Sequence, residues 1–153
     1  FEQEPFEIPA SEFIDLYNRE VYHCDLHQSA LRVLTHFQSS GYNQFILSAV
    51  EQMVLNQCLR HYRIDHFFEQ ALGLDNIYAA SKIENGHRLI AERRLNANEL
   101  ALIGDTVHDF EVATELGCRC VLIADGHQSE EVLRSTGATV LRSIDELPHN
   151  LRT

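Results

Sequence analysis

The sequence predicts an α/β protein with a mostly parallel sheet and helices on both of its faces. Short apolar runs of strand length recur along the chain, and longer segments with apolar residues at helical spacing separate them. Strands and helices that alternate in this way build parallel sheets, because each crossover helix returns the chain to the same edge. The 153 residues, of which 44% are apolar, suffice for one hydrophobic core.

Residues 1–22 are predicted to lie outside this core. Residues 1–9 carry acidic side chains and two prolines without any period, which is typical of an arm or a linker. A helix is expected from Ser11, which can cap it, because apolar residues up to Val21 recur at helical spacing.

Residues 23–153 form the predicted core, which opens with an amphipathic helix over His27 to Ser40. The run "QFILSA", Gln44 to Ala49, is short and continuously apolar, which suits a strand buried on both faces. A helix over Val50 to Tyr62 and a short strand, "FFEQALG" from Phe67, complete the first half of the core.

The second half repeats the alternation, and each of its strands is again a short apolar run. Its predicted elements are a helix over Lys82 to Arg94, a buried strand over Leu100 to Gly104, a helix over Asp109 to Leu116, a strand over Arg119 to Asp125, a helix over Ser129 to Ser135, a strand over Thr139 to Leu141 and a short helix near Ile144 to Leu147.

Composition limits the partners that this chain can have. Lys and Arg total 12 against 23 Asp and Glu, and the net charge of -11 repels a nucleic-acid backbone or an anionic membrane. No apolar run reaches the ~20 residues that a membrane span requires. The four cysteines form no Cys-x-x-Cys pair, which is typical of reduced thiols. We therefore expect a cytoplasmic protein that has neither nucleic-acid nor membrane partners.

Polar residues that follow the predicted strands are the candidates for a functional site, because ligands of parallel sheets bind beyond the carboxyl ends of the strands. Asp105 directly follows a strand, and Asp109 lies four residues later. Two close carboxylates repel each other unless a cation lies between them, and Mg2+ takes such oxygen ligands. The spacing is equally compatible with Asp109 as a helix cap and no metal at all.

Ser48 and Lys82 belong to the same predicted edge. The Ser48 hydroxyl and the amides of the following helix could hold a phosphate oxygen, although serine at this position is also a common helix cap. Lys82 begins a helix and could neutralise a phosphate, or it could be an ordinary solvated lysine.

The order of these residues resembles that of the haloacid dehalogenase-like (HAD) hydrolases, especially the phosphoglycolate-phosphatase-like branch. "FILSA" is similar to the family's second motif, Lys82 in "ASKIENG" to its third and "ALIGDTVHDFEVATELG" to its fourth. The segment "CVLIADGHQSEEVLRSTGATVLRSIDEL" is similar to the family's usual ending, so the resemblance extends from Leu26 to Leu147. It implies a three-layer, Rossmann-like fold, and it implies that residues 1–22 include the remnant of a helical cap.

The resemblance also implies a role for each candidate residue. Asp105 would be a direct Mg2+ ligand, and Asp109 would hold a metal-bound water or steady the neighbouring loop. Ser48 and the amide of Ala49 would bind the phosphoryl oxygens, and Lys82 would offset charge on the phosphate and on the nucleophile. The implied catalytic residues are thus Lys82 and Asp109. The implied function is a Mg2+-dependent phosphomonoester hydrolase (phosphatase) that acts on a small phosphorylated metabolite.

One motif of the family is missing from this sequence. The family's first motif, Asp-x-Asp followed by Gly-Thr, supplies the nucleophile and the general acid at the end of an N-terminal strand. Asp25-Leu26-His27 has neither an apolar strand before it nor Gly-Thr after it. In the family that strand lies between those that end in Ser48 and Asp105, so we expect a gap there and an inactive isolated chain.

Three explanations of the gap stay open. A longer chain could carry the strand, another chain could supply it, or the fold could close up without it. Open strand edges would favour a homo-oligomer. The main functional alternative is a non-catalytic HAD-like binding or regulatory module. A receiver or nucleotide-binding domain is a weaker alternative, since the sequence has no Gly-rich phosphate loop.

Overall fold

The computed structural model describes residues 20–74 and 82–151, and this part of the chain contains two parallel sheets. The first pairs β1 with β2, and the second has the order β3-β4-β5. The strands are β1 (Phe45–Glu51), β2 (Gln70–Leu74), β3 (Ala101–Gly104), β4 (Arg119–Ile123) and β5 (Thr139–Leu141). The prediction of parallel strands is confirmed.

Helices connect these strands, as the alternation predicts. They are α1 (Ala30–Ser39), α2 (Gln52–His61), α3 (Lys82–Arg93), α4 (Val107–Leu116), α5 (Glu130–Arg134) and α6 (Leu147–Asn150), with 3-10 turns at Val21–His23, Asp65–Phe67, Ala97–Glu99 and Ile144–Glu146. None of the helices in the described ranges is long and apolar enough to cross a membrane. The predicted arm and the start of the predicted helix from Ser11 lie outside the described residues.

Local hydrogen bonds shift several predicted boundaries. The helix predicted from His27 begins at Ala30, because a turn precedes it in which the Ala30 amide donates to the His27 carbonyl at 2.8 Å. The strand predicted from Phe67 begins at Gln70, since the chain before it forms a 3-10 turn. The strand predicted to reach Asp125 ends at Ile123.

Two separate apolar clusters support the two sheets. One contains Val33 of α1 together with buried residues of β4, β5 and α6, namely Val121, Ile123, Leu141 and Leu147. The other contains Leu55 and Leu59 of α2 and Ile64, with β1 packed against them. Helix α1 contributes to both, because Leu34, next to Val33, packs on the second cluster.

Strands β1 and β3 do not pair within the described part of the chain, which is the gap that the sequence predicts. Both line a cavity of about 180 Å³ whose walls are mainly apolar side chains of β1, β3, α3 and α4. The sequence predicts that β1 and β3 are buried, but no residue of either strand is fully buried, and Ala49, Ala101 and Ile103 are exposed. The expectation is wrong for both strands, because in the described part of the chain each has a neighbouring strand on one side only.

Candidate active site

Asp109 lies at the centre of the candidate site, in the first turn of α4. Its Oδ2 atom accepts hydrogen bonds from the Asp105 amide at 3.0 Å, the Thr106 amide at 3.1 Å and the Thr106 hydroxyl at 2.8 Å. The Thr106 hydroxyl in turn accepts from the Asp109 amide, which completes a capping box. Helix α4 therefore begins at Val107 and not at Asp109, and Asp109 holds the turn that presents Asp105.

Lys82, the first residue of α3, donates to the other carboxylate oxygen of Asp109, Oδ1. The pair is largely removed from water, since the two side chains are 15% and 6% exposed. Lys82 follows β2 in the chain and Asp109 follows β3. Their contact therefore brings the carboxyl ends of both sheets to one edge, where the sequence predicts a site.

The surroundings of Asp109 favour its ionised form. Burial, the largest influence, raises the pKa of the Asp109 carboxyl. Hydrogen bonds from Lys82 and Thr106, the charge of Lys82 and the Asp105 amide outweigh burial and hold this pKa below its ordinary value of 3.8. Asp109 therefore carries a negative charge at neutral pH, and both of its carboxylate oxygens already accept hydrogen bonds.

Asp105 directly follows β3, and its side chain is 41% exposed at the same edge. Its Oδ2 atom accepts from the His127 amide at 2.8 Å, and the His127 Nδ1 atom lies 3.6 Å away. The loop after β4 approaches closely here, because a Cβ on Gly126 would lie 2.4 Å from the Asp105 Cβ. Gln128 of the same loop accepts from the Val107 amide at 2.6 Å, so this loop fixes both Asp105 and the start of α4.

The sequence predicts this loop at the same edge of the sheet, because the polar run Asp125-Gly126-His127 follows a strand, but it predicts no catalytic role for the loop. His127 donates to Asp105 through its backbone amide, which any residue but proline could supply. The identity of its side chain therefore does not predict this hydrogen bond. Gly126, directly after an aspartate at a strand end, is the one feature of the sequence that could have indicated a close approach.

Ser48 lies within β1 and not at a helix start. Its hydroxyl accepts from the Val50 amide at 3.1 Å, in a stretch where the register with β2 shifts between Leu47 and Glu51. Glu51 caps α2 by accepting from the Met53 amide, so the interpretation of Ser48 as a helix cap is wrong. In the described residues no hydrogen bond joins Ser48 or the exposed Ala49 to Lys82 or Asp105. Leu47 and Lys82 nevertheless line the same cavity.

The donor groups fit Mg2+ in part. Within residues 20–74 and 82–151, no group of three or more His, Cys, Asp and Glu side chains could hold a metal ion. Asp105 can supply one carboxylate oxygen, whereas Asp109 has both oxygens committed to donors. Mg2+ commonly takes one or two carboxylates and keeps several waters. Asp105 therefore fits as one ligand of a site that needs a further ligand.

Comparisons with solved structures agree with this architecture. A predicted phosphatase from Clostridium acetobutylicum aligns with a TM-score of 0.87 at 16% identity, over 94% of this chain and 68% of that one. A haloacid dehalogenase-like hydrolase from Streptococcus pneumoniae aligns at 0.82 and 21% identity, over 93% and 70%. A predicted phosphoglycolate phosphatase from Haemophilus somnus aligns at 0.78 and 16% identity, over 89% and 62%. These similarities show the shared fold.

Sequence comparison identifies the family. A search of curated proteins finds no match to this chain. The family model described as haloacid dehalogenase-like hydrolase matches residues 2–123, which is most of the chain. Together with the fold, this match confirms the resemblance to the haloacid dehalogenase-like hydrolases. The chain belongs to the haloacid dehalogenase-like hydrolase family.

Proposed function

We propose that this chain is the phosphate- and metal-binding part of a Mg2+-dependent phosphomonoester hydrolase that acts on a small phosphorylated metabolite. The observation that carries the proposal is the Lys82–Asp109 ion pair, which lies beside the partly exposed Asp105 carboxylate. A cation and a partly exposed carboxylate at the carboxyl edge of parallel strands can bind a phosphate together with a metal ion.

Each residue has a distinct task in this proposal. Lys82 neutralises charge on the phosphoryl group, and Asp109 holds the charged ammonium group of Lys82 in position. Ser48 and the Ala49 amide bind phosphoryl oxygens from the side of β1. Asp105 contributes an oxygen ligand to Mg2+, which supplies positive charge against the developing negative charge of the reaction.

The nucleophile has to come from outside the described residues. The 153 residues contain no Asp-x-Asp sequence. A strand between β1 and β3 would end beside Lys82 and Asp105, because residues of β1, β3 and Lys82 line the same cavity. A carboxylate at its end could attack phosphorus, and a second carboxyl group could give its proton to the leaving oxygen.

The charge of the protein supports a small anionic substrate. A net charge of -11 opposes binding of nucleic acid or an anionic membrane, so neither is a proposed partner. Lys82 and a bound metal ion would supply the local positive charge that a phosphate ester needs. We place the protein in the cytoplasm, where such metabolites are available.

Hydrolysis of p-nitrophenyl phosphate in MgCl2 tests the proposal. We expect no activity from the 153-residue chain and activity from the product of the complete reading frame. In that product, K82A and D105N should each reduce kcat/KM by about 100-fold or more. D65N is the matched control, because it removes a carboxylate from an exposed turn before β2. Absence of hydrolysis by the complete product would overturn the enzyme proposal.

A non-catalytic HAD-like module is the second candidate, and the missing Asp-x-Asp favours it. It predicts that the complete reading frame also lacks this motif after an apolar strand. The same protein should then bind inorganic phosphate or Mg2+ without hydrolysing p-nitrophenyl phosphate.

A further inference from the structure

Two side-chain amides hold the carboxyl end of β2 from opposite helices. The Gln52 Oε1 atom, at the start of α2, accepts from the Gly73 amide at 2.8 Å. The Asn85 Nδ2 atom, in the first turn of α3, donates to the Gly73 carbonyl at 2.8 Å. Both backbone polar groups of Gly73 are therefore satisfied by side chains, and they join three elements of the fold.

Glycine is required at this junction. A Cβ at position 73 would lie 2.5 Å from the Val50 carbonyl oxygen and 2.9 Å from the Gln52 Cα. Strand β2 thus contacts the end of β1, which follows Ser48, and the first residue of α2. Gln52 reinforces this contact by donating to the Ala71 carbonyl at 3.2 Å.

Asn85 connects this junction to the candidate site. It lies three residues after Lys82, on the same face of α3, and it is only 2% exposed. Its hydrogen bond fixes the first turn of α3 against β2, and the Lys82–Asp109 pair fixes the same turn against α4. The first turn of α3, which carries Lys82, is therefore held by Asn85 on the side of β2 and by Asp109 on the side of α4.

We propose that Asn85 and Gln52 are positioning residues, which act through the Gly73 backbone to set the position of Lys82 relative to Ser48 and the end of β1. This inference rests on the proposed function, because Lys82 is its phosphate-binding cation. Loss of the Asn85 bond should let the first turn of α3 open and should move the ammonium group away from a bound phosphate.

Chemical labelling tests the positioning without any need for activity. Lys82 is the only lysine in the 153 residues, so acetic anhydride modifies a single side-chain amine. At fixed pH, N85A should raise the acetylation rate of Lys82 by about fivefold, because its helical turn opens more often. Q52L, which leaves Asn85 in place, should raise the rate by a smaller factor.

R93A is the matched control variant. Arg93 also ties α3 to β2, since its guanidinium donates to the Gln70 side chain at 2.8 Å and to the Glu69 carbonyl at 3.2 Å. It does so at the opposite end of the helix, away from Lys82. R93A should therefore leave the acetylation rate unchanged. Equal rates in N85A and R93A would overturn the positioning role.

Inhibition by inorganic phosphate supplies the second measurement, in the product of the complete reading frame. N85A should weaken the inhibition by about tenfold, as expected for a residue that orients a ligand-binding group. R93A should not change it. If the wild-type product does not hydrolyse p-nitrophenyl phosphate, the proposed function fails, and the labelling rates of Lys82 still decide the positioning role.

Discussion

Lys82 donates a hydrogen bond to Oδ1 of Asp109, although 27 residues separate the two in the chain. The contact joins α3, which follows the last strand of the first sheet, to α4, which follows the first strand in sequence of the second sheet. Because β1 and β3 are not paired in the described residues, this buried ion pair is a polar link between the two halves of the fold.

Removal of Lys82 should destabilise the protein. K82M leaves the Asp109 carboxylate buried without its cation, which we expect to lower the free energy of unfolding by about 3 kcal/mol. Urea unfolding followed by circular dichroism measures the change. R134M, which breaks the exposed Arg134–Glu130 pair, is the control and should have little effect. Equal stability of the two variants would contradict the structural role of the buried pair.

Stability should fall in acid because of Asp109. The pKa of its carboxyl is lowered from 3.8 in the folded protein. Below about pH 5 this carboxyl therefore takes up a proton in the unfolded chain before it does so in the folded protein, which favours unfolding. The contribution is fully present at higher pH and is lost progressively as the pH falls through the folded pKa. In K82M the folded pKa is higher, so the pH-dependent loss should be smaller. Urea unfolding between pH 3 and 7 tests this, and parallel profiles would count against it.

A side chain at position 126 should disturb the proposed metal site at Asp105. The Cβ of G126A would lie within 2.5 Å of the Asp105 Oδ2 atom, so the carboxylate must move. We expect the affinity for Mn2+, measured by electron paramagnetic resonance on the complete product, to fall by about tenfold or more. G137A is the control, because Gly137 has φ +80° and no Cβ neighbour within 4 Å. It should cost about 1 kcal/mol of stability and leave Mn2+ binding unchanged.

The isolated 153-residue chain should self-associate through the edges of β1 and β3 that are unpaired in the described part of the chain. Sedimentation velocity should show a sedimentation coefficient that rises with protein concentration. I103K places a charge beside the open edge of β3 and should reduce the association. V132K adds the same charge at an exposed position on α5 and should not. A monomer at all concentrations would refute this expectation.

The sequence predicts most of the strands and helices, because the strands of a parallel sheet appear as continuous apolar runs. It also predicts the location of the site, because the polar residues that follow these strands meet at one edge of the sheet. Lys82, Asp105 and Asp109 follow this rule, and the structure brings them together. The gap between β1 and β3 is also predictable, since it follows from a missing motif.

The remaining features depend on contacts that residue type alone does not encode. The His127 amide holds Asp105, and a backbone amide looks the same in every residue but proline. Helix α4 begins at Val107, before the predicted start, because the Thr106 hydroxyl caps it by accepting from the Asp109 amide. Ser48 lies in an irregular part of β1, where the register with β2 shifts, and the expected strand-to-helix junction comes only at Glu51.

The two apolar clusters have a consequence for the unfolding of the chain. Each sheet has its own buried residues, and α1 is shared between them through Val33 and Leu34. Native-state hydrogen exchange should therefore reveal two cooperative units instead of one. The amides of β1 and β2, a single strand pair, should exchange at lower denaturant than those of β4, which is paired on both sides. A strand inserted between β1 and β3 would merge the two units into one transition.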